Sequence, residues 1–378
     1  MIVSVRYNSA TRHRSTVVSG PPQPLRIASP APREAWTATW QASTQATIFH
    51  RPEWLEACCA TGDFQDVSRL YETADGERIV LPLVRSRASR PAWPTTWSMP
   101  VGWGLGGAFG SRPLDAGHVA MVLEDLLRDD AQLVISPGPV TADAWAGAPA
   151  QARVRHDAHV VDVRAGFGAL WSKVFSSDTR NKVRKAQKRG VEVQWGRGSE
   201  LLRLYWDVYL RWIEQLAGRR GIPGVLAVAL AKHREPLTRY EAIAEYLGER
   251  CQVAVARVDG EPAASVIALL DGVHGHYWRA SSDQALVHRR YANHLLLAHT
   301  LERAAASGCH YVHLGESGGK ASLIQFKEHF GGRPVSYEEL RFGPLAMTGA
   351  MRAREKLTHA AESLAVRGAA TLTRARAR

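Results

Sequence analysis

The chain has 378 residues, 45% hydrophobic and 22% charged, with a formal net charge of +12. That length and balance suit a soluble protein of two or three domains, each able to bury its own core. The longest apolar run, residues 224–231, falls far short of the roughly 20 residues that cross a bilayer, which excludes a spanning helix.

The N-terminus turns polar at Arg6 without the apolar stretch of a secretory signal, so a cytoplasmic protein is expected. The cysteines, Cys58, Cys59, Cys251 and Cys309, lack metal-ligand spacing and read as buried or idle thiols, with no metal expected. The positive charge favours polyanionic partners: RNA, anionic lipid or a phosphorylated cofactor. DNA is not an expected partner.

Residues 1–24, with Ser19-Gly20-Pro21-Pro22, read as a mobile arm. A first lobe is expected over 25–158. Within it, a short helix follows Arg51-Pro52, and a hairpin runs from Val67–Tyr71 through Asp75-Gly76 to Ile79–Val84. A loop rich in proline and glycine carries Trp93, Trp97 and Trp103, whose flat faces either stack on sugars or pack on the lobe.

A second lobe is expected over 159–342. Arg180 to Gly190 reads as a helix started by Asp178 and ended by Gly190. Its six cations and no acid make it either a solvated face or a surface for phosphates, with Arg180, Arg184 and Lys188 on one face and Lys185 on another. A strand at Val191–Trp195 and an aromatic helix at Leu201–Ala217 follow, the latter with Leu201, Tyr205, Val208 and Trp212 at helical spacing. Then come a helix at 236–247, strands at 251–258, 262–270 and 273–281 joined by Asp-Gly turns, and a helix at 291–306. A strand at Tyr311–Leu314 enters the glycine-rich turn Gly315-Glu316-Ser317-Gly318-Gly319, a short helix carries Phe326-Lys327 and closes on Phe330-Gly331, and a last strand spans 335–341. Residues 343–378 read as a basic helical tail, solvated or bound to anionic lipid or RNA.

The Gly315–Gly331 and Arg180–Val191 stretches, in this order, resemble the Fem-type branch of the GNAT acyltransferase superfamily. That branch includes peptidoglycan bridge-forming aminoacyl transferases and acetyltransferases linked to polysaccharide production. The resemblance spans about residues 45–342 and implies an α/β (α+β) fold of two tandem GNAT-like lobes, with mixed, mostly antiparallel sheets flanked by helices. It also implies an N-acyltransferase, whose donor is acyl-CoA or, as the alternative, aminoacyl-tRNA. Acceptors in keeping with it are an amino sugar, a cell-envelope precursor or a small metabolite bearing an amine. A non-catalytic scaffold binding a glycan or lipid-linked precursor is a reading of another class.

On the matching positions, the resemblance makes Lys327 the cation beside the acyl carbonyl. It places the donor phosphates at Arg289, Arg290, Tyr291, Ala292 and Asn293, although the glycine pair of acyl-CoA enzymes is missing there. Arg180, Arg184, Lys185, Lys188 and Trp103 would meet the acceptor or its phosphates. Candidates for a general base are Glu316, His313 and Asp283, Glu316 being favoured by its place at the strand's end. His274 and His276 share a strand face as a possible metal pair, but no third ligand stands near them.

Overall fold

In the computed structural model, which describes residues 23–87, 95–129, 132–288 and 290–343, the chain begins with β1 (Pro24–Ala28), α1 (Arg33–Ala42) and α2 (Pro52–Ala60). Pro52 stands at the first position of α2, where a missing N–H costs nothing. There follow β2 (Phe64–Asp66), β3 (Arg69–Thr73), β4 (Arg78–Leu81), β5 (Val84–Ser86), β6 (Thr95–Trp97), β7 (Phe109–Gly110), α3 (Ala116–Asp129), β8 (Gln132–Ile135), α4 (Ala142–Trp145) and β9 (Ala152–Asp162). The predicted hairpin is β3 and β4. It lies nearer the turn than expected: β3 runs on to Thr73, whose hydroxyl accepts from the Glu77 amide, and β4 ends at Leu81.

Next come α5 (Phe167–Ala169), which runs on as a π-helical turn over Leu170–Val174, α6 (Ser177–Lys188), β10 (Glu192–Gly196), α7 (Ser199–Arg219), α8 (Gly224–Arg234) and α9 (Leu237–Leu247). The chain then forms β11 (Cys251–Val258), β12 (Glu261–Leu269), β13 (His274–Ser282), α10 (Gln284–Val287), α11 (Ala292–Ala306), β14 (Tyr311–Glu316), α12 (Ala321–His329) and β15 (Arg333–Phe342). The β11–β12 turn has positive φ at both Asp259 and Gly260, the conformation an Asp-Gly pair supplies between twisted antiparallel strands.

These elements form two compact units. The first holds the described residues up to His159, together with Glu316–Gly319 and β15. One of its sheets has the antiparallel order β1-β3-β4-β7; elsewhere β15 pairs antiparallel with β8, β8 runs parallel to β6, and β5 joins β6 to β2. Its core gathers Tyr71, Ile79, Leu81, Val122, Leu126, Leu133, Ile135 and Trp145, with Leu340 and Phe342 from β15.

The second unit holds Val160–Gly315 and Lys320–Gly332. Its strands follow the order β10-β11-β12-β13-β14, antiparallel except for the last pair. One core cluster sets α6 and α11 against the sheet through Val183, Ala186, Ala254, Val266, Leu296, Leu301, Val312 and Phe330. The aromatic stripe of α7 packs elsewhere: Tyr205 and Trp206 meet Tyr240 of α9, which in turn meets Trp278 of β13. The mixed, mostly antiparallel α/β architecture expected from the sequence is therefore present. The basic tail, the N-terminal arm up to residue 22 and Trp93 lie outside the described residues.

Candidate active site

The second unit opens where two strands part. β13 and β14 run parallel, but their register holds only from His274↔Tyr311 to His276↔His313. β13 continues to Ser282 against β12, bulging where Ile267 faces Arg279 and Ala268 faces Tyr277. Beyond the paired stretch lies a cleft of about 390 Å³, walled by Trp212 of α7, Tyr277 of β13, Tyr291 and Asn293 at the start of α11, and Lys320 and Phe326 around α12. The cleft is mostly apolar with a few polar groups, the usual character of a small-molecule site.

Asp283 stands between two lining residues, Ser282 and Gln284. Burial raises this carboxyl, but bonds from Gln215 Nε2 (2.7 Å) and the Leu286 and Ala285 amides, with Arg211 at 3.2 Å, outweigh burial and hold it below the usual range. Asp283 thus caps α10 and fixes Gln215, whose other end accepts from the Gln284 amide. Asp283 is moreover buried, which closes it to an incoming amine, and the reading of Asp283 as a base is corrected on that ground.

Four of the five residues assigned to donor phosphates are placed at the start of α11; Arg289 lies outside the described residues. Tyr291 precedes the helix with φ 60°, a left-handed conformation that costs a bulky residue about 1–2 kcal/mol and that glycine adopts freely. The glycine missing from the sequence is thus replaced by a strained tyrosine whose ring lines the cleft beneath the Arg189 guanidinium. Ala292 is buried, and Asn293 Nδ2 donates to Ser282 Oγ. Arg290 pairs with Asp259 at 2.7 Å, which offsets its charge.

Lys327 is not an exposed helix lysine. It is 4% exposed, and its Nζ donates to the Gly315 carbonyl at 2.8 Å, at the end of β14. Phe326, one residue earlier, lines the cleft. His313 is buried, with His274 Nδ1 at 3.1 Å from its Nε2 and the His276 ring stacked at 4.6 Å. Burial, then the two neighbouring histidines, hold it well below the ordinary histidine value. A neutral imidazole sealed inside the sheet does not reach an incoming amine, so His313 as the base is corrected as well. The possible metal pair packs against His313 of the neighbouring strand, His274 through its Nδ1 and His276 by stacking.

Glu316 belongs to the first unit, where its oxygens accept from Tyr337 and lie 3.0 Å from His156 Nδ1. That bond to Glu316, working against burial, raises the His156 pKa. Glu316 remains accessible, with 45% of its side chain exposed.

The basic helix differs in detail from expectation. Ser176, not Asp178, caps α6 by accepting from the Thr179 amide, while Asp178 in the first turn pairs with Lys182. Arg180 turns inward and donates to the carbonyls of Phe175 and Trp171, satisfying the end of the π-helical turn. Arg184 lies over the Trp171 ring, and Lys185 and Lys188 face solvent. In the first unit Trp103 is 1% exposed and packs edge-on against Trp54, which donates to its carbonyl. No face of Trp103 is open to a sugar, and its assignment to an acceptor is corrected.

Sequence reasoning passed over His294 as a cleft residue. Its position three residues past Tyr291 on α11 was the available signal. Burial, then the Lys182 charge, lowers its pKa to about 4. Its folded value lies below the unfolded one near 6.5, so as pH falls the unfolded chain takes up the proton first. The free energy of unfolding should therefore fall as pH drops from about 6.5 to about 4. In His294→Gln, urea unfolding across that window should show a shallower pH dependence; an unchanged slope would contradict the assignment.

The family model described as an acetyltransferase (GNAT) domain matches residues 173–328. The crystal structure of FemX aligns with TM-score 0.58 at 11% identity, covering 83% of this chain and 97% of that one. A conserved protein of unknown function from Bacteroides thetaiotaomicron (TM-score 0.48, 13% identity, 82% and 95% covered) is more distant, as is a tandem GNAT protein from the clavulanic acid biosynthesis pathway (0.46, 11%, 84% and 97%). No curated protein sequence matches the chain. Among the described residues no helix is long and apolar enough to cross a membrane. Residues 173–328 match the acetyltransferase (GNAT) domain model, in a chain that shares its fold with FemX.

Proposed function

We propose that the protein is an N-acyltransferase that moves an acyl group from acyl-CoA to an amine. The observation that carries this reading is the cleft at the end of β13 that β14 leaves unpaired, walled by the start of α11 and by α12. The start of α11 offers the positive end of a helix dipole to a phosphate, and the apolar walls suit the acyl arm. The acceptor nitrogen attacks the thioester carbonyl carbon and forms the C–N bond. The C–S bond then breaks, the electron pair leaves on sulfur, and the proton lost by the amine balances the thiolate. Negative charge builds on the carbonyl oxygen during attack, and the Lys327 ammonium is the group proposed to stabilise it. No protein nucleophile is required. Glu316 is the proposed base and the exposed Lys185 and Lys188 the proposed contacts for an anionic acceptor such as a cell-envelope precursor.

A second reading, an aminoacyl-tRNA donor, is favoured by the poor phosphate cradle: Arg290 is offset by Asp259 and a tyrosine stands where glycine would let backbone approach a pyrophosphate. Calorimetry with acetyl-CoA and with charged and uncharged tRNA, each at two salt concentrations, separates the two. The first reading expects saturable one-to-one acetyl-CoA binding with a shallow salt dependence. Absent CoA binding, with charged tRNA preferred and a steep loss of affinity as salt rises, would replace it with the second.

A further inference from the structure

The second unit carries an apolar helix on its surface. α8 turns Ala231 inward and leaves Val225 84%, Leu226 47% and Leu230 42% exposed, with Ala229 exposed among them. At about 100° per residue these four side chains fill one continuous arc of about 140°. A helix apolar on all sides is ordinarily buried, and exposed apolar side chains that join into a patch mark an interaction surface.

The charges around the patch identify what fits it. Exposed Arg219 and Arg220 precede the helix, exposed Lys232, His233 and Arg234 end it, and α8 contains no acid. A second copy of this chain laid on the patch would bring the same cations against these. The tail at 344–378 is also a poor occupant, since it carries seven Arg and Lys against two Glu. An anionic lipid surface offers both complements, acyl chains for the apolar arc and headgroup charge for the cations at each end.

We propose that α8 docks the protein on an anionic lipid surface, its apolar arc dipping below the headgroups. None of its residues belongs to the cleft, so the proposal stands apart from the acyltransferase reading.

Sedimentation of the full-length protein with vesicles of phosphatidylcholine, with and without phosphatidylglycerol, tests it. Wild type should bind the anionic vesicles and lose them as salt rises. Val225→Ser/Leu226→Ser/Leu230→Ser keeps every cation and should bind at least about tenfold more weakly, because three apolar side chains no longer leave water. Arg219→Gln/Arg220→Gln/Lys232→Gln/Arg234→Gln keeps the arc and should lose the preference for phosphatidylglycerol. Unfolding midpoints of both variants check the fold, and Leu230→Ser alone gives a graded version of the first. The proposal is overturned if wild type ignores anionic vesicles, or if the serine variant binds them as wild type does, which would assign binding to charge elsewhere. It is also overturned if wild type is a dimer that the serine variant dissolves.

Discussion

Lys327→Met is expected to lower kcat for acyl transfer about a hundred- to a thousandfold, the loss found when a fixed donor to a developing oxyanion is removed. Methionine keeps the length and apolar stem of lysine, so packing within the buried site is largely retained while the ammonium is lost. Donor affinity should change little, since the interaction removed is one made in the transition state. Single-turnover transfer, together with donor binding by calorimetry, reads the two quantities separately. If Lys327 served only to tie α12 to the Gly315 carbonyl, the variant would unfold at lower denaturant and keep its kcat. Retained transfer in a folded variant would sink the catalytic assignment and favour a non-catalytic scaffold. Lys327→Arg should not rescue: a planar guanidinium needs more room than a 4% exposed amine occupies.

The elements of the second unit were legible because their signals are local. Asp-Gly turns, alternation over 251–258 and the glycine-rich turn after β14 each act within a few residues, and the strand and helix order followed from them. α3 and β9 were not legible in the same way. The β9 stretch Arg153-Val154-Arg155-His156-Asp157 reads as solvated coil until Arg153 meets Glu338 and Arg155 meets Ser336, each more than 180 residues away. Side-chain roles needed the same distant information. Trp103 in a glycine-rich loop looks alike whether it stacks on sugar or is sealed by Trp54, and only the fold brings the two together. Asp283 could be read as a base until the fold buried it against Gln215, 68 residues earlier. Arg180 belongs to a charge run in the sequence, yet local carbonyls claim it. Lys327 was found by motif, but its burial was not, because one helical turn of Phe-Lys-Glu-His does not tell which face meets β14.

Gly331→Ala is expected to destabilise the protein by about 2–5 kcal/mol, from two independent causes. Gly331 has φ 85°, which an alanine adopts at a cost of about 1–2 kcal/mol. A Cβ there would also lie 2.2 Å from Val174 Cγ1, and valine, stiff about χ1, cannot swing aside. The position matters because it ends α12: the Gly331 amide donates to Glu328 and the Gly332 amide to Lys327, while Phe330 is held edge-on against Phe175 in the core. Val174→Ala separates the causes. Val174 is 45% exposed, so its truncation alone costs little, and in the double variant it removes the clash while leaving the left-handed strain. Urea unfolding of the four proteins should then show a coupling of about 1–3 kcal/mol, with the double variant still below wild type by about 1 kcal/mol. Absence of coupling would mean that backbone movement, not Val174, absorbs the methyl group. Because this turn also sets where α12 holds Lys327, kcat should fall in Gly331→Ala and recover in part in the double variant, in step with stability.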